Sequence, residues 1–84
     1  MYWDVVEVKP VAHLTLQVRF ADGLCGRVSF ADSGLRGVFT ALKDADFFNQ
    51  VRLGESFVTW PGELDLAPDA MYQAIKEHGE WRIT

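Results

Sequence analysis

The side chains able to do chemistry in this chain of 84 residues fall into four sets. Cys25 with His13 or His78 is the minimal pairing of a thiolate nucleophile and its base. Glu63, Asp65 and Asp69 place three carboxylates close together in sequence, and a hard cation would be held if they converged within a few ångströms. The stretch "GLRG", residues 34–37, has the glycine spacing of a loop that offers backbone N–H groups to a phosphate, with Arg36 as countercharge. Arg19 and Arg27, with Thr15, Gln17 and Ser29, could form a basic stripe on one face of a sheet.

Each set also has a structural reading that its spacing favours. Glu63 and Asp65 flank Leu64 in strand-like alternation and so share a solvated face, while Asp69 is accounted for by the electrostatics of a helix start. No serine sits in a nucleophile elbow, no motif sets an acid beside a histidine, and a lone cysteine in a strand is ordinarily structural. "GLRG" lacks a following lysine–serine pair, and the arginine stripe reads more simply as an ordinary solvated sheet face. The expectation is a chain with no catalytic residue, no metal and no cofactor. The alternative is a small enzyme or ligand-binding domain using Cys25, a histidine or the acidic residues near the Trp60-Pro61 turn.

The elements that would position these groups are legible from patterning. Leu14, Leu16, Val18 and Phe20 alternate with Thr15, Gln17 and Arg19, the period of a half-buried strand. Leu24, Gly26, Val28 and Phe30 share one face of the next strand, and Cys25, Arg27 and Ser29 take the other. A two-residue Asp22-Gly23 turn would put the two apolar rows on opposite faces, so a three-residue loop, Ala21-Asp22-Gly23, is expected, pairing Phe20 with Leu24 and Leu16 with Val28. "DVVEVKP" supplies a first strand ending at Pro10.

Further along, Asp44 and Asp46 precede Phe47, Phe48 and Val51, which predicts a short helix starting near Asp44 with that aspartate as its cap. Val51, Leu53, Phe57 and Trp60 fit one or two strands broken at Gly54. Trp60-Pro61-Gly62-Glu63 predicts a type II turn, after which Leu64 and Leu66 point inward. A second helix starts at Pro68, carries Met71, Ala74, Ile75 and His78, and stops at Gly79; Ala67 stands at its capping position, where an acceptor side chain is wanted. The fold class is therefore α+β: a small antiparallel sheet opening with a three-stranded meander, with two short helices packed on it. One domain is expected over 1–84, with a firm core over about 3–78 and a tail or extra strand over 79–84.

Composition narrows the function classes. A single cysteine excludes an intrachain disulfide and fits a reducing compartment, and the N-terminal residues lack the pattern of a secretory leader. No stretch has the length of a membrane span, so a cytoplasmic protein is expected. A formal net charge of -4 disfavours nucleic acid as a partner. Aromatic residues make up 13% of the chain, and Trp3 and Trp81 lie beyond its firmest elements. They are the residues left over for a contact surface, with a protein partner or a second copy meeting a sheet edge.

Several stretches, in order, carry a resemblance: "MYWDVVEVKP", "LQVRFADG", "GVF..LKD...F..VRL" and "WPGELDLAPDAMY". Over about the first 75 positions they resemble the small prokaryotic proteins of the domain of unknown function 2442 family. Two positions depart from that pattern, Gly62 where the family often has asparagine and Ala67 where it has aspartate. The resemblance implies no established activity and no catalytic residue. It implies a setting in which such proteins accompany another small protein, similar to toxin and antitoxin modules, and in which some relatives append a helix-turn-helix domain that this chain is expected to lack.

Overall fold

The alternating segments pair in the register that their apolar rows demand. In the computed structural model, which describes residues 2–31, 35, 37–62 and 64–83, strands β1 (Val5–Ala12), β2 (Thr15–Phe20) and β3 (Cys25–Phe30) form the antiparallel meander. Leu16 lies opposite Val28 and Arg19 opposite Cys25. The Phe20 N–H donates to the Leu24 carbonyl at 2.8 Å, and Gly23 takes φ +95°, the left-handed residue that closes the three-residue loop.

The first strand runs past Pro10 to Ala12, on the sheet's edge, where a proline costs no ladder bond. The pairing of β1 with β2 shifts between Val5 and Glu7 and again between Pro10 and Ala12. The residues inside those two irregularities, Val6 and Val11, are each 42% exposed. The extra residue of a bulge loses its place in the alternation, so both valines leave the core face. The β1–β2 connection is a tight turn through His13 and Leu14, and β2 begins directly after it at Thr15, so Leu14 belongs to the turn and not to the strand's alternation. Leu14 holds φ +50° while nearly fully buried, and its carbonyl accepts the Phe30 N–H at 2.9 Å. Burial and that bond hold a branched-chain residue in a conformation it otherwise avoids.

A 3-10 helix over Gly37–Lys43 follows, then α1 (Ala45–Phe48), whose Asp44 cap accepts the Asp46 N–H at 2.9 Å. A second sheet of three strands is built from β4 (Arg52–Leu53), β5 (Val58–Trp60) and β6 (Leu64–Leu66). The break falls at Gly54, and Gly62 at φ +87° turns the chain after Pro61, with Leu64 and Leu66 buried.

Helix α2 (Pro68–His78) has Pro68 in its first turn, no side-chain bond from Ala67, and Gly79 at φ +80° as its left-handed cap. It buries Met71, Tyr72 and Ile75. Met71 and Ile75 each contribute about 1.5 to 3 kcal/mol by leaving water, as an upper estimate. The chain then forms β7 (Glu80–Ile83), which pairs with β3 in parallel, so the first sheet has the order β1-β2-β3-β7.

One apolar cluster joins the inward faces of both sheets and α2: Leu16, Val18, Phe20 and Val28 meet Val58, Trp60, Met71 and Ile75. Trp60 is wholly buried, and its indole N–H donates to the Phe48 carbonyl at 2.9 Å. That bond ties the second sheet to the end of α1, so the tryptophan before the proline is a core residue. The opposite face of the four-stranded sheet, set by Thr15, Gln17, Arg19, Cys25, Arg27 and Ser29, is exposed or half-buried along its length.

Candidate functional site

Pairing register assembles the outer face of the first sheet from four strands. Glu7 stands beside Arg19 and Lys9 beside Gln17; Arg19 stands beside Cys25 and Gln17 beside Arg27; Arg27 stands beside Glu80 and Ser29 beside Arg82. This places Lys9, Arg19, Arg27 and Arg82 on one surface with Glu7 and Glu80, a cationic balance on a chain whose total is -4. The Arg19 guanidinium donates to the Glu7 carboxylate at 3.3 Å, with both side chains about half exposed. Such a pair is screened by solvent and contributes little stability, so both groups can be redirected to a partner. The arginine stripe is thus assembled, with its basic character extended by Lys9 and Arg82 and tempered by two glutamates.

Trp3 lies just ahead of one edge strand of that sheet, β1, and Trp81 within the other, β7. Trp3 precedes β1 and packs edge-on against Tyr2 with centroids 4.8 Å apart; Tyr2 in turn packs against Tyr72 at 5.0 Å. Trp81 lies in β7, opposite Val28. Both are half-buried against the core, and three strand spacings, about 14 Å, separate β1 from β7.

The residues proposed for nucleophilic chemistry are dispersed. Cys25 is exposed on the outer face, its thiol 3.5 Å from the Gly23 carbonyl. His13 sits in the turn at the far end of β2, about 20 Å along the strand from the position opposite Cys25. His78 ends α2, with its imidazole 3.8 Å from Glu77, and lines a depression with Ala74 and Trp81 in which Cys25 has no part.

The acidic set is divided as well. Asp65 receives the Thr59 hydroxyl at 2.5 Å directly across the β5–β6 ladder, Asp69 accepts the Ala70 N–H at 2.9 Å, and Glu63 lies outside the described residues. Among the described residues no cluster of three metal-ligating side chains occurs. Half of "GLRG", Gly34 and Arg36, also lies outside the described residues; Leu35 is buried and Gly37 has φ +58°.

One polar pair was not singled out from sequence. The Tyr72 hydroxyl, on α2, donates to Asp22 in the β2–β3 loop at 2.5 Å, and the other carboxylate oxygen accepts the Leu24 N–H at 3.0 Å. These bonds hold the Asp22 carboxyl below its usual range, with the tyrosine the larger cause and the Leu24 N–H next. The same bond, with burial second, pushes the Tyr72 phenol up to about 12. A phenol moved away from neutrality is a poorer proton carrier at physiological pH, so the pair is a fastening between loop and helix and not an acid–base couple. Lys76 lies 5.8 Å above the Tyr72 ring, and Phe20 packs beneath it. Asp22 offered only a turn signal in the sequence, and Tyr72 only an apolar helical position.

A groove of about 360 Å³ lies between the β1–β2 turn and α1. Pro10, Val11, Leu14, Leu42 and Phe48 give it apolar walls, with Lys43 and Asn49 at its lining. No helix among the described residues is long and apolar enough to cross a membrane.

A family profile described as "Protein of unknown function (DUF2442)" matches residues 5–77. The match takes in both the Asp22 loop and Tyr72. No curated protein and no solved structure matches the chain.

Proposed function

The chain belongs to the family of proteins of unknown function DUF2442, and we propose that this member is a non-catalytic protein-interaction domain, the antitoxin-like companion of another small protein. The observation that carries the reading is the uncovered face of the four-stranded sheet. On it Arg19, Arg27, Lys9 and Arg82 gather on an otherwise acidic chain. Such segregation supports recognition of an acidic protein surface, because complementary charge steers encounter and fixes register. Glu7 and Glu80 on the same face, and the negative total, weigh against a phosphate backbone as the partner. The companion role itself rests on the family resemblance and on nothing in the geometry.

The test is co-purification of the tagged chain from its source cell, with retained proteins identified by mass spectrometry, for the natural chain and for Arg19→Glu/Arg27→Glu. One defined partner, held by the natural chain and lost by a folded variant, is the expected result. Equal retention by both, or none by either, defeats the proposal. A second reading, a ligand-binding domain, draws its support from the apolar groove beside α1 and needs neither arginine.

A further inference from the structure

The geometry points to a second copy of this chain as the partner of the β7 edge, joined antiparallel about a two-fold axis through Trp81. This inference rests on the interaction-domain reading and names one of its partners.

Among the described residues, β7 ends the sheet order, so its outer edge has no strand beside it. The Ala31 N–H donates to the Ile83 carbonyl at 3.0 Å, so the backbone groups of Ile83 face inward to β3. The two-residue period of a strand turns Trp81 the same way and sends the N–H and C=O of Glu80 and Arg82 outward. That edge therefore offers two donors and two acceptors.

Side-chain chemistry then selects both occupant and register. A two-fold perpendicular to the sheet keeps each face continuous, so only registers pairing residues of the same face are allowed. Centring on Arg82 would set the two arginines against each other, whereas centring on Trp81 sets Glu80 opposite the partner's Arg82, and Arg82 opposite the partner's Glu80. Both of those pairs carry outward backbone groups, so each becomes a hydrogen-bonded pair of the antiparallel ladder with opposite charges across it. Trp81 then meets the partner's Trp81 in the closer, non-hydrogen-bonded position.

Space on the helical side permits this. Beside Trp81 lies an open depression of about 330 Å³ lined by Ala74, His78, Glu80 and Arg82, where a second indole can lie against α2. Charges on an edge strand usually blunt it against pairing. Here opposite signs two residues apart make the edge complementary to itself. A contact built on four-residue strands is small, so the dimer is reversible and concentration-dependent.

Sedimentation velocity on the purified chain tests the inference. The natural chain should pass from monomer to dimer as concentration rises to about 1 mM, the weak end of the scale of dissociation constants. Glu80→Arg and Arg82→Glu should each remain monomeric, and an equimolar mixture of the two should regain the dimer, because all cross-strand pairs become complementary again. Arg82→Pro removes only an N–H that points away from β3, so it should keep the fold, checked by circular dichroism, and lose the dimer; it serves if a charge reversal unfolds the chain. A natural chain monomeric throughout, or a dimer indifferent to Arg82→Pro and to the reversals, overturns the inference. Neither result bears on partner capture by the Arg19 and Arg27 face, so the two readings fail separately.

Discussion

The Tyr72 hydroxyl and the Asp22 carboxylate, 50 residues apart in sequence, are hydrogen-bonded at 2.5 Å. The bond joins the tight loop between β2 and β3 to α2, the helix that covers the core face of those strands. Two stretches that carry the family resemblance, "RFADG" and "APDAMY", thus touch in three dimensions. Their shared task is to fasten the helix to the sheet.

That fastening has a defined pH window. The carboxyl of Asp22 is held below its usual value of 3.8, so its contribution is present above that pH and is lost as pH falls through the lowered value. The phenol of Tyr72 is raised from 10.0 to about 12, so its contribution is present below pH 10 and is lost between the two values. Tyr72→Phe should lower the melting temperature by a constant amount between these limits, with the gap to the natural chain narrowing on both sides. Thermal melts across pH check this, and a gap that persists unchanged into strong acid contradicts it.

Gly26 is fixed by close approach. A Cβ there would lie 2.5 Å from Ile75 Cγ2 and 3.0 Å from the Gly79 carbonyl oxygen. Gly26→Ala should cost about 1 to 3 kcal/mol, since α2 must shift away from β3. Chemical denaturation measures the loss; an unchanged midpoint would show that the helix is more loosely seated than described.

Trp60→Phe keeps an aromatic ring among Phe30 and Phe48 but deletes the N–H that reaches the Phe48 carbonyl. The Phe48 carbonyl keeps the Val51 N–H at 3.2 Å, so the expected cost is the net worth of one lost hydrogen bond, about 0.5 to 1.5 kcal/mol. Denaturation in urea checks the value, and a neutral result would mean that the indole bond contributes nothing beyond the Val51 N–H on the same carbonyl.

Ala67→Asp should stabilise. Ala67 holds the extended backbone of a capping residue, φ −67° and ψ 118°, with no side-chain bond to the first turn of α2. Supplying a carboxylate there is worth about 0.5 to 2 kcal/mol and should raise the melting temperature. A fall would mean that the new charge is repelled by Asp65 or Asp69.

What the sequence revealed follows from which forces are local. The register of β2 and β3 could be read because a one-residue slip would expose Phe20 and Val28, and the Asp44 and Gly79 caps because capping depends on single residues. The bulges at Val6 and Val11 could not, since they arise from how an edge strand bends around its neighbour. Nor could the parallel pairing of β7 with β3, or the Asp22–Tyr72 contact, which exist only once α2 has crossed the sheet. The arginine stripe was visible as alternation, but its joining with Lys9 and Arg82 required both edge strands in place.

Cys25 offers the most direct test that the open sheet face is the binding surface, because it is the chain's single cysteine and stands exposed there beside Arg19 in register. Alkylation of its thiol should be rapid in the free protein and strongly slowed in the complex with the co-purified partner. An alkylation rate unchanged on complex formation would contradict the account.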